Sequence, residues 1–277
     1  MLKKYKTIWI KMSRIKEKFL ELEAKKEKAL ISYIMVGFPN ERATLAAVKG
    51  LVKGGTDIIE LGFPFSDPLA DGPVIQNAST VSLERGTKIT KFFQLVKKIR
   101  NLTDTPLVLM TYTNILYNKG YSNFIYEAKK AGIDGFILPD MSIEESKEYL
   151  KAAHGKTDTI FLVSPNTTKK RIKEISKVTS GFLYLVAVYG TTGVKTGIQN
   201  YTLKAIKNLK KETKGKIPLG VGFGVSNPKD VKKYVSCGVD AVIVGSAFLK
   251  LLEQTPQDQI ERKITVFTKS LKNQTKI

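Results

Sequence analysis

Eight short apolar runs rich in β-branched residues recur along the chain, at 30–36, 57–62, 107–112, 135–139, 159–163, 182–188, 219–223 and 241–245. They lack the alternating polar positions of a half-exposed strand, so they read as strands of a parallel sheet covered on both faces. Between them lie Lys- and Glu-bearing segments with apolar residues at helical spacing, at 43–53, 88–100, 123–131, 144–153, 168–179, 202–213 and 228–237. Such alternation predicts βαβ units sharing one sheet. The runs begin about 30 residues apart on average, close to the repeat of a (β/α)8 barrel. Eight similar units, with no Gly-x-Gly-x-x-Gly after the first run, favour that barrel over a doubly wound sheet. The expected fold class is α/β, a single (β/α)8 TIM barrel. The longest steps follow the second and sixth runs, so insertions are expected there.

The ends add one element. Residues 15–28 form an amphipathic segment with Phe19, Leu20 and Leu22 on one side, which predicts an extra N-terminal helix. Residues 1–11 are basic and carry neither a long apolar core nor a small-residue cleavage site, so they do not read as a signal peptide. The expected organisation is an N-terminal extension at 1–11, with Met12 as an alternative start, followed by one barrel domain at 12–277. The stretch 256–271 reads as the last helix.

Charge changes the picture less than its size suggests. The 277 residues hold 46 Lys+Arg against 25 Asp+Glu, a net charge of +21. The basic residues come as scattered pairs (Lys97-Lys98, Lys129-Lys130, Lys169-Lys170, Lys210-Lys211, Lys232-Lys233) inside helix-like segments. An electrostatic footprint for nucleic acid would cluster and would interleave stacking aromatics. A solvated lysine surface is therefore expected, with no nucleic-acid partner. No apolar run approaches the ~20 residues of a membrane span, so no membrane partner is expected either.

Composition narrows the chemistry. With one His (His154) and one Cys (Cys237), most zinc sites and histidine triads lack their parts, and no metal site is expected. Acid–base work falls to carboxylates, tyrosines or lysines. His154 reads as a surface residue and Cys237 as a half-buried thiol at a helix end.

One carboxylate stands out. Glu60 lies inside the second run, where a charge is costly unless it is used or paired. Alternation sends Ile59 and Leu61 to one face and Ile58, Glu60 and Gly62 to the other. If Ile59 and Leu61 pack on the helices, Glu60 points into the barrel near the C-terminal ends of the strands, where barrel active sites sit. Desolvation there would raise its pKa toward the range useful for acid–base catalysis. The stretch 62–73 follows, with Pro64, Pro68 and Pro73 beside Asp67 and Asp71. Its Pro/Gly punctuation makes a shaped loop that can hold Asp71 near Glu60. Such a pair can divide proton transfer from charge stabilisation. A structurally paired Glu and a turn capped by its Asp residues are the plainer alternatives.

The stretch 59–78, IELGFPFSDPLADGPVIQNA, resembles the signature of the tryptophan synthase alpha chain family. The resemblance continues through 107–114, 135–140, 164–166, 181–193, 222–226 and 244–247, and covers nearly all of 12–271. It implies retro-aldol cleavage of indole-3-glycerol phosphate to indole and glyceraldehyde 3-phosphate. It implies no cofactor in this chain, and a beta-chain partner carrying pyridoxal phosphate. That partner would receive indole through a tunnel in a heterotetramer of two alpha and two beta chains. Glu60 matches the family's acid–base residue, and Asp71 the carboxylate on the indole N–H. Tyr184 matches a pocket tyrosine near that glutamate. Tyr33, Met110, Ile137 and Leu162 match the apolar slot, with Tyr112 nearby. Gly193 and the strand-end residues Gly222, Gly224, Gly245 and Ser246 match a phosphate site of backbone amides and a helix N-terminus. Pro64 and Asp67 match positions that touch or signal to the beta chain. Asp140 matches a residue that orders the loop after the second strand, and Thr192 is retained.

The departures are local. Tyr33 stands where the family often has Phe, and Phe38 where Gly-Asp-Pro is common. In the loop after the sixth run, Ala187 replaces the usual Ser and Thr191 the usual Val. Another phosphate-binding barrel, an isomerase or epimerase of sugar phosphates, would have no need of the Glu60–Asp71 segment. A subunit that only activates a beta chain would not need the intact pair. Lys- and Ile-rich usage suits a prokaryotic cytoplasm, with plastid stroma as the alternative.

Overall fold

The computed structural model describes residues 12–186, 200–222 and 224–277. The expected extension at 1–11, and Ala187, Thr191, Thr192 and Gly193 in the loop after the sixth run, lie outside the described residues. The elements run α1 (Arg14–Ala24), β1 (Ala29–Met35), α2 (Glu41–Gly54), β2 (Ile58–Gly62), α3 (Pro73–Glu84), α4 (Ile89–Arg100), β3 (Leu107–Met110), α5 (Thr113–Lys119) and α6 (Tyr121–Ala131). They continue with β4 (Gly135–Ile137), α7 (Lys147–Ala153), β5 (Asp158–Ile160), β6 (Leu162–Val163), α8 (Lys169–Val178) and β7 (Leu183–Val186). The last are α9 (Asn200–Thr213), β8 (Leu219–Gly222), α10 (Pro228–Ser236), β9 (Ala241–Val244), α11 (Ser246–Glu253) and α12 (Ile260–Lys272).

The strands form one parallel sheet in the order β5-β4-β3-β2-β1-β9-β8-β7-β6. Its two ends are the halves of the fifth expected strand, joined through Phe161, so the sheet closes on itself as a barrel. Alternation persists through the break. Ile160 and Leu162 face the inner cluster, while Phe161 and Val163 join the outer core against the helices. The backbone ladder changes partner at Phe161, whose carbonyl accepts the Tyr184 N–H at 3.0 Å. Elsewhere the inner and outer sets divide as the pleat requires. Ile31, Ile58, Val108 and Ile243 lie inside, and Ile59, Leu61, Leu107, Leu109 and Leu185 lie outside.

The long step after β2 holds a helix that the pattern did not show. The α3 sequence is rich in Ser, Thr and Asn, which are weak helix formers. Pro73 at its first turn suits a helix start nonetheless, and Ala78, Ser79 and Ser82 are buried against the barrel.

The N-terminal ends of the strands are closed by α1. Ser13 caps it by accepting the Lys16 N–H, and Ile15 and Leu22 are buried in the inner cluster. Around this end, three aspartates at strand starts accept an amide from the first two residues of a neighbouring strand. Asp57 takes Leu30 N–H at 2.7 Å, Asp134 takes Leu107 N–H and Asp240 takes Leu219 N–H, both at 2.9 Å. Their charges are met by Lys272, by Arg14 with Arg100, and by Lys28 with Lys210. Part of the positive surplus is thus built into the stable end of the barrel. The paired lysines on α4, α6, α8, α9 and α10 are exposed, apart from half-buried Lys210. His154 is exposed, and Cys237 is half-buried at the end of α10.

Candidate active site

Glu60 is the third residue of β2, and the register sets it between Tyr33 of β1 and Val108 of β3. It sits on the same face as buried Ile58, toward the barrel axis and the C-terminal strand ends. It is 1% exposed, and its Oε2 has no hydrogen-bond partner among the described residues. Burial, and then the negative charge of Asp71, push its pKa up to about 8. A carboxyl in this state is protonated at neutral pH and carries a transferable proton.

The loop after β2 brings Asp71 to it. Ser79 on α3 holds the loop by accepting Phe65 N–H and donating to Phe65 O, each at 2.8 Å. Asp71 N–H bonds Pro68 O at 3.0 Å, and the Gln76 side chain donates to Asp71 O at 2.9 Å. The Asp71 carboxylate is 5% exposed and accepts the Tyr112 hydroxyl at 3.1 Å. Burial pushes its pKa up to about 6, and the Tyr112 hydrogen bond opposes the rise. The two carboxyls therefore differ at neutral pH, one mostly neutral and one mostly ionised. Pro64 is buried, whereas Asp67 is exposed and takes a hydrogen bond from Ser66.

The walls are apolar and aromatic. Met110 and Ile137 are register partners across β3 and β4, and Leu162 pairs with Tyr184 across β6 and β7. All four contribute to the inner cluster. Tyr33 is buried and Tyr184 half-buried, and the pKa values of both rise well above 10.0, mainly through desolvation, so both hydroxyls stay neutral.

Each tyrosine rests on a glycine of the adjacent strand. A Cβ at Gly62 would lie 2.2 Å from the Tyr33 hydroxyl, and one at Gly222 would lie 2.2 Å from the Tyr184 hydroxyl. These approaches explain why glycine ends both strands. Gly222→Ala is expected to force Tyr184 aside and lower stability by about 1–3 kcal/mol. Equilibrium urea unfolding of the variant checks this.

Around the rim, Gly224 follows β8 and Gly245 follows β9. These two strands pair through Gly222 and Ile243. Gly224 has φ +71° and open space where a Cβ would stand. Gly245 is the N-cap of α11 and brings no capping side chain. The first amides of α11, beginning at Ser246, therefore have no intrahelical acceptor. Asp140 lies elsewhere on the rim, accepting Thr113 N–H at 2.9 and 3.1 Å and Thr113 Oγ1–H at 2.9 Å. It orders the start of α5, and it makes no hydrogen bond to the loop after β2 among the described residues.

The sequence reading missed Phe65, Ala70 and Thr113. Phe65 stacks on Tyr112 at 4.9 Å, and Ala70 N–H donates to the Tyr112 hydroxyl at 3.1 Å. Only their place inside the stretches 59–78 and 107–114 could have pointed to them. A groove of about 340 Å³ between α3 and α11, lined by Phe38, Asn77, Leu249 and Glu253 among others, holds none of the carboxylate pair. Among the described residues, no three His, Cys, Asp or Glu side chains gather to hold a metal ion, and no helix is long and apolar enough to cross a membrane.

The family described as tryptophan synthase alpha chain matches residues 19–276. A tryptophan synthase alpha chain from Methanosarcina acetivorans is 44% identical over 262 residues, covering 94% of this chain and 93% of that one. One from Petrotoga mobilis is 43% identical over 264 residues, covering 94% and 99%. Among solved structures, a protein from Aquifex aeolicus VF5 matches with a TM-score of 0.87 at 36% identity, covering 96% of this chain and all of that one. A chain of the tryptophan synthase complex from Pyrococcus furiosus matches with a TM-score of 0.81 at 34% identity, covering 89% and 98%.

Proposed function

The chain belongs to the tryptophan synthase alpha chain family, and we propose that Glu60 and Asp71 carry its reaction. That reaction is the lyase cleavage of indole-3-glycerol phosphate to indole and glyceraldehyde 3-phosphate. The observation that supports these roles is the buried pair itself, one carboxyl held protonated and the other held ionised.

The chemistry asks for two proton movements on one substrate. Protonated Glu60 gives its proton to indole C3, making an indolenine-like cation. Ionised Asp71 accepts the indole N–H and stabilises the positive charge spread toward the ring nitrogen. Glu60, now a carboxylate, takes the proton of the hydroxyl on the adjacent glycerol carbon. The hydroxyl oxygen becomes an aldehyde carbonyl, and the bond between that carbon and C3 breaks. Its electron pair returns to the ring, which restores indole, and Glu60 ends protonated as it began. One group serves as acid and then as base.

The remaining residues supply binding. Tyr33, Met110, Tyr112, Ile137, Leu162 and Tyr184 enclose the indole ring, with Tyr112 acting at its Asp71 edge. The amides at Gly222, Gly224, Gly245 and Ser246, with Gly193, take the phosphate, aided by the positive end of α11. An alpha chain of this family needs no cofactor for the cleavage. The beta-chain partner, with pyridoxal phosphate bound, would receive the indole in an assembly of two alpha and two beta chains. Pro64, Asp67 and Thr192 would lie at or signal to that contact. The cytoplasm suits such a biosynthetic enzyme.

The experiment is indole release from indole-3-glycerol phosphate by the purified chain, alone and with a beta chain. Slow release alone and faster release with the partner is the expected result. A chain that binds and activates the beta chain yet releases no indole would support the activator reading instead.

A further inference from the structure

Tyr112 is the last residue before α5 and lies two positions past the end of β3, and its position is fixed from several sides. Its ring stacks on Phe65 at 4.9 Å with 26° between planes. Its hydroxyl donates to Asp71 Oδ2 at 3.1 Å and accepts from Ala70 N–H at 3.1 Å. The next residue, Thr113, is tied to Asp140 through both its backbone N–H and its hydroxyl. The hydroxyl of Tyr112 is therefore the join between the rigid start of α5 and the loop that bears Asp71.

We propose that Tyr112 is a positioning residue for Asp71, holding Oδ2 so that Oδ1 faces the indole N–H, and that Asp140 acts on the loop after β2 through Thr113 and Tyr112. This rests on the proposed role of Asp71 and replaces a simple wall role for Tyr112. Two features separate it from plain packing. A donated hydrogen bond favours the ionised form of its acceptor, so the hydroxyl sets the charge of Asp71 as well as its place. The other groups facing Asp71 give no such help. Glu60 on β2 is an acid, and Tyr33 on β1 and Tyr184 on β7 are neutral phenols with no hydrogen bond to Asp71 among the described residues. Tyr112 itself is pushed above its usual range by burial and then by Asp71, so it remains a donor across the working range of pH.

The test is Tyr112→Phe, which keeps the ring and the stack on Phe65 but removes the hydroxyl. The Asp71 carboxyl carbon, followed by NMR, should titrate about one pH unit higher than in the parent. The acid limb of kcat/KM for indole release should rise with it. At pH 6 the variant should lose about fourfold more activity than at pH 7.5, as expected of a one-unit shift. Phe65→Leu removes the stack and keeps the hydroxyl, and should leave the titration unmoved. An Asp71 titration unchanged in Tyr112→Phe, or a loss of rate equal at every pH, would overturn the proposal. If Asp71→Asn were fully active, the role of Asp71 would fail, while the NMR shift would still report whether Tyr112 holds it.

Discussion

Glu60→Gln should lower kcat for indole release by about 10³-fold or more while making the protein more stable. The loss follows from using one group as acid and then base, since an amide can do neither, and general acid–base catalysis alone is worth about 10²–10⁴-fold. The gain in stability follows from linkage. The pKa of Glu60 is raised from 4.5 to about 8 in the folded protein. Between those values the folded state binds the proton and the unfolded state does not, so the parent loses stability as pH rises through the window. Gln has no proton to bind and escapes that loss. At pH 7 the variant should be more stable by about 3 kcal/mol, and by much less at pH 5. Thermal unfolding at the two pH values reads this, and a destabilised variant at pH 7 would mean that Glu60 is paired and structural.

The second large effect is expected at Asp71. Asp71→Asn keeps a carbonyl oxygen that can accept the indole N–H and the Tyr112 hydroxyl, but it removes the charge. A fall in kcat/KM of about 10²–10³-fold is expected, as for the loss of one group aimed at charge in the transition state. Asp71 also raises the pKa of Glu60, so the remaining activity should lose its alkaline limb at a lower pH than the parent. Steady-state kinetics across pH tests both. An unchanged alkaline limb would show that the two carboxyls do not sense one another.

The barrel was legible in the sequence because buried parallel strands are written as continuous apolar runs, and eight of them recur with an average step of about 30 residues. The direction of Glu60 was legible too, because Ile59 and Leu61 could only face the helices if Glu60 faced the axis. Other features were hidden for physical reasons. The change of partner at Phe161 leaves the side-chain alternation intact, so periodicity is blind to it. The α3 helix is built from residues with weak helical preference and is set by Pro73 and by burial of Ala78 and Ser82. Tyr112 looked like one more ring in an apolar slot. Its task lies in a hydroxyl that meets Asp71 across 41 positions of sequence, and no local pattern records such a contact. Asp140 likewise bonds Thr113 rather than the loop after β2, because the ends of β3 and β4 are neighbours in the sheet.

The most direct measurement is the pH dependence of kcat/KM for cleavage of indole-3-glycerol phosphate by the parent chain, since it reports the ionisations of the free enzyme. A protonated Glu60 and an ionised Asp71 are required together, so the rate should follow a bell. It should rise through about 6 as Asp71 ionises and fall through about 8 as Glu60 loses its proton, the two limbs belonging to the coupled pair. A rate that keeps climbing beyond pH 9, or that stays flat from pH 5 to 9, would contradict the assignment of acid and anion to these two carboxyls.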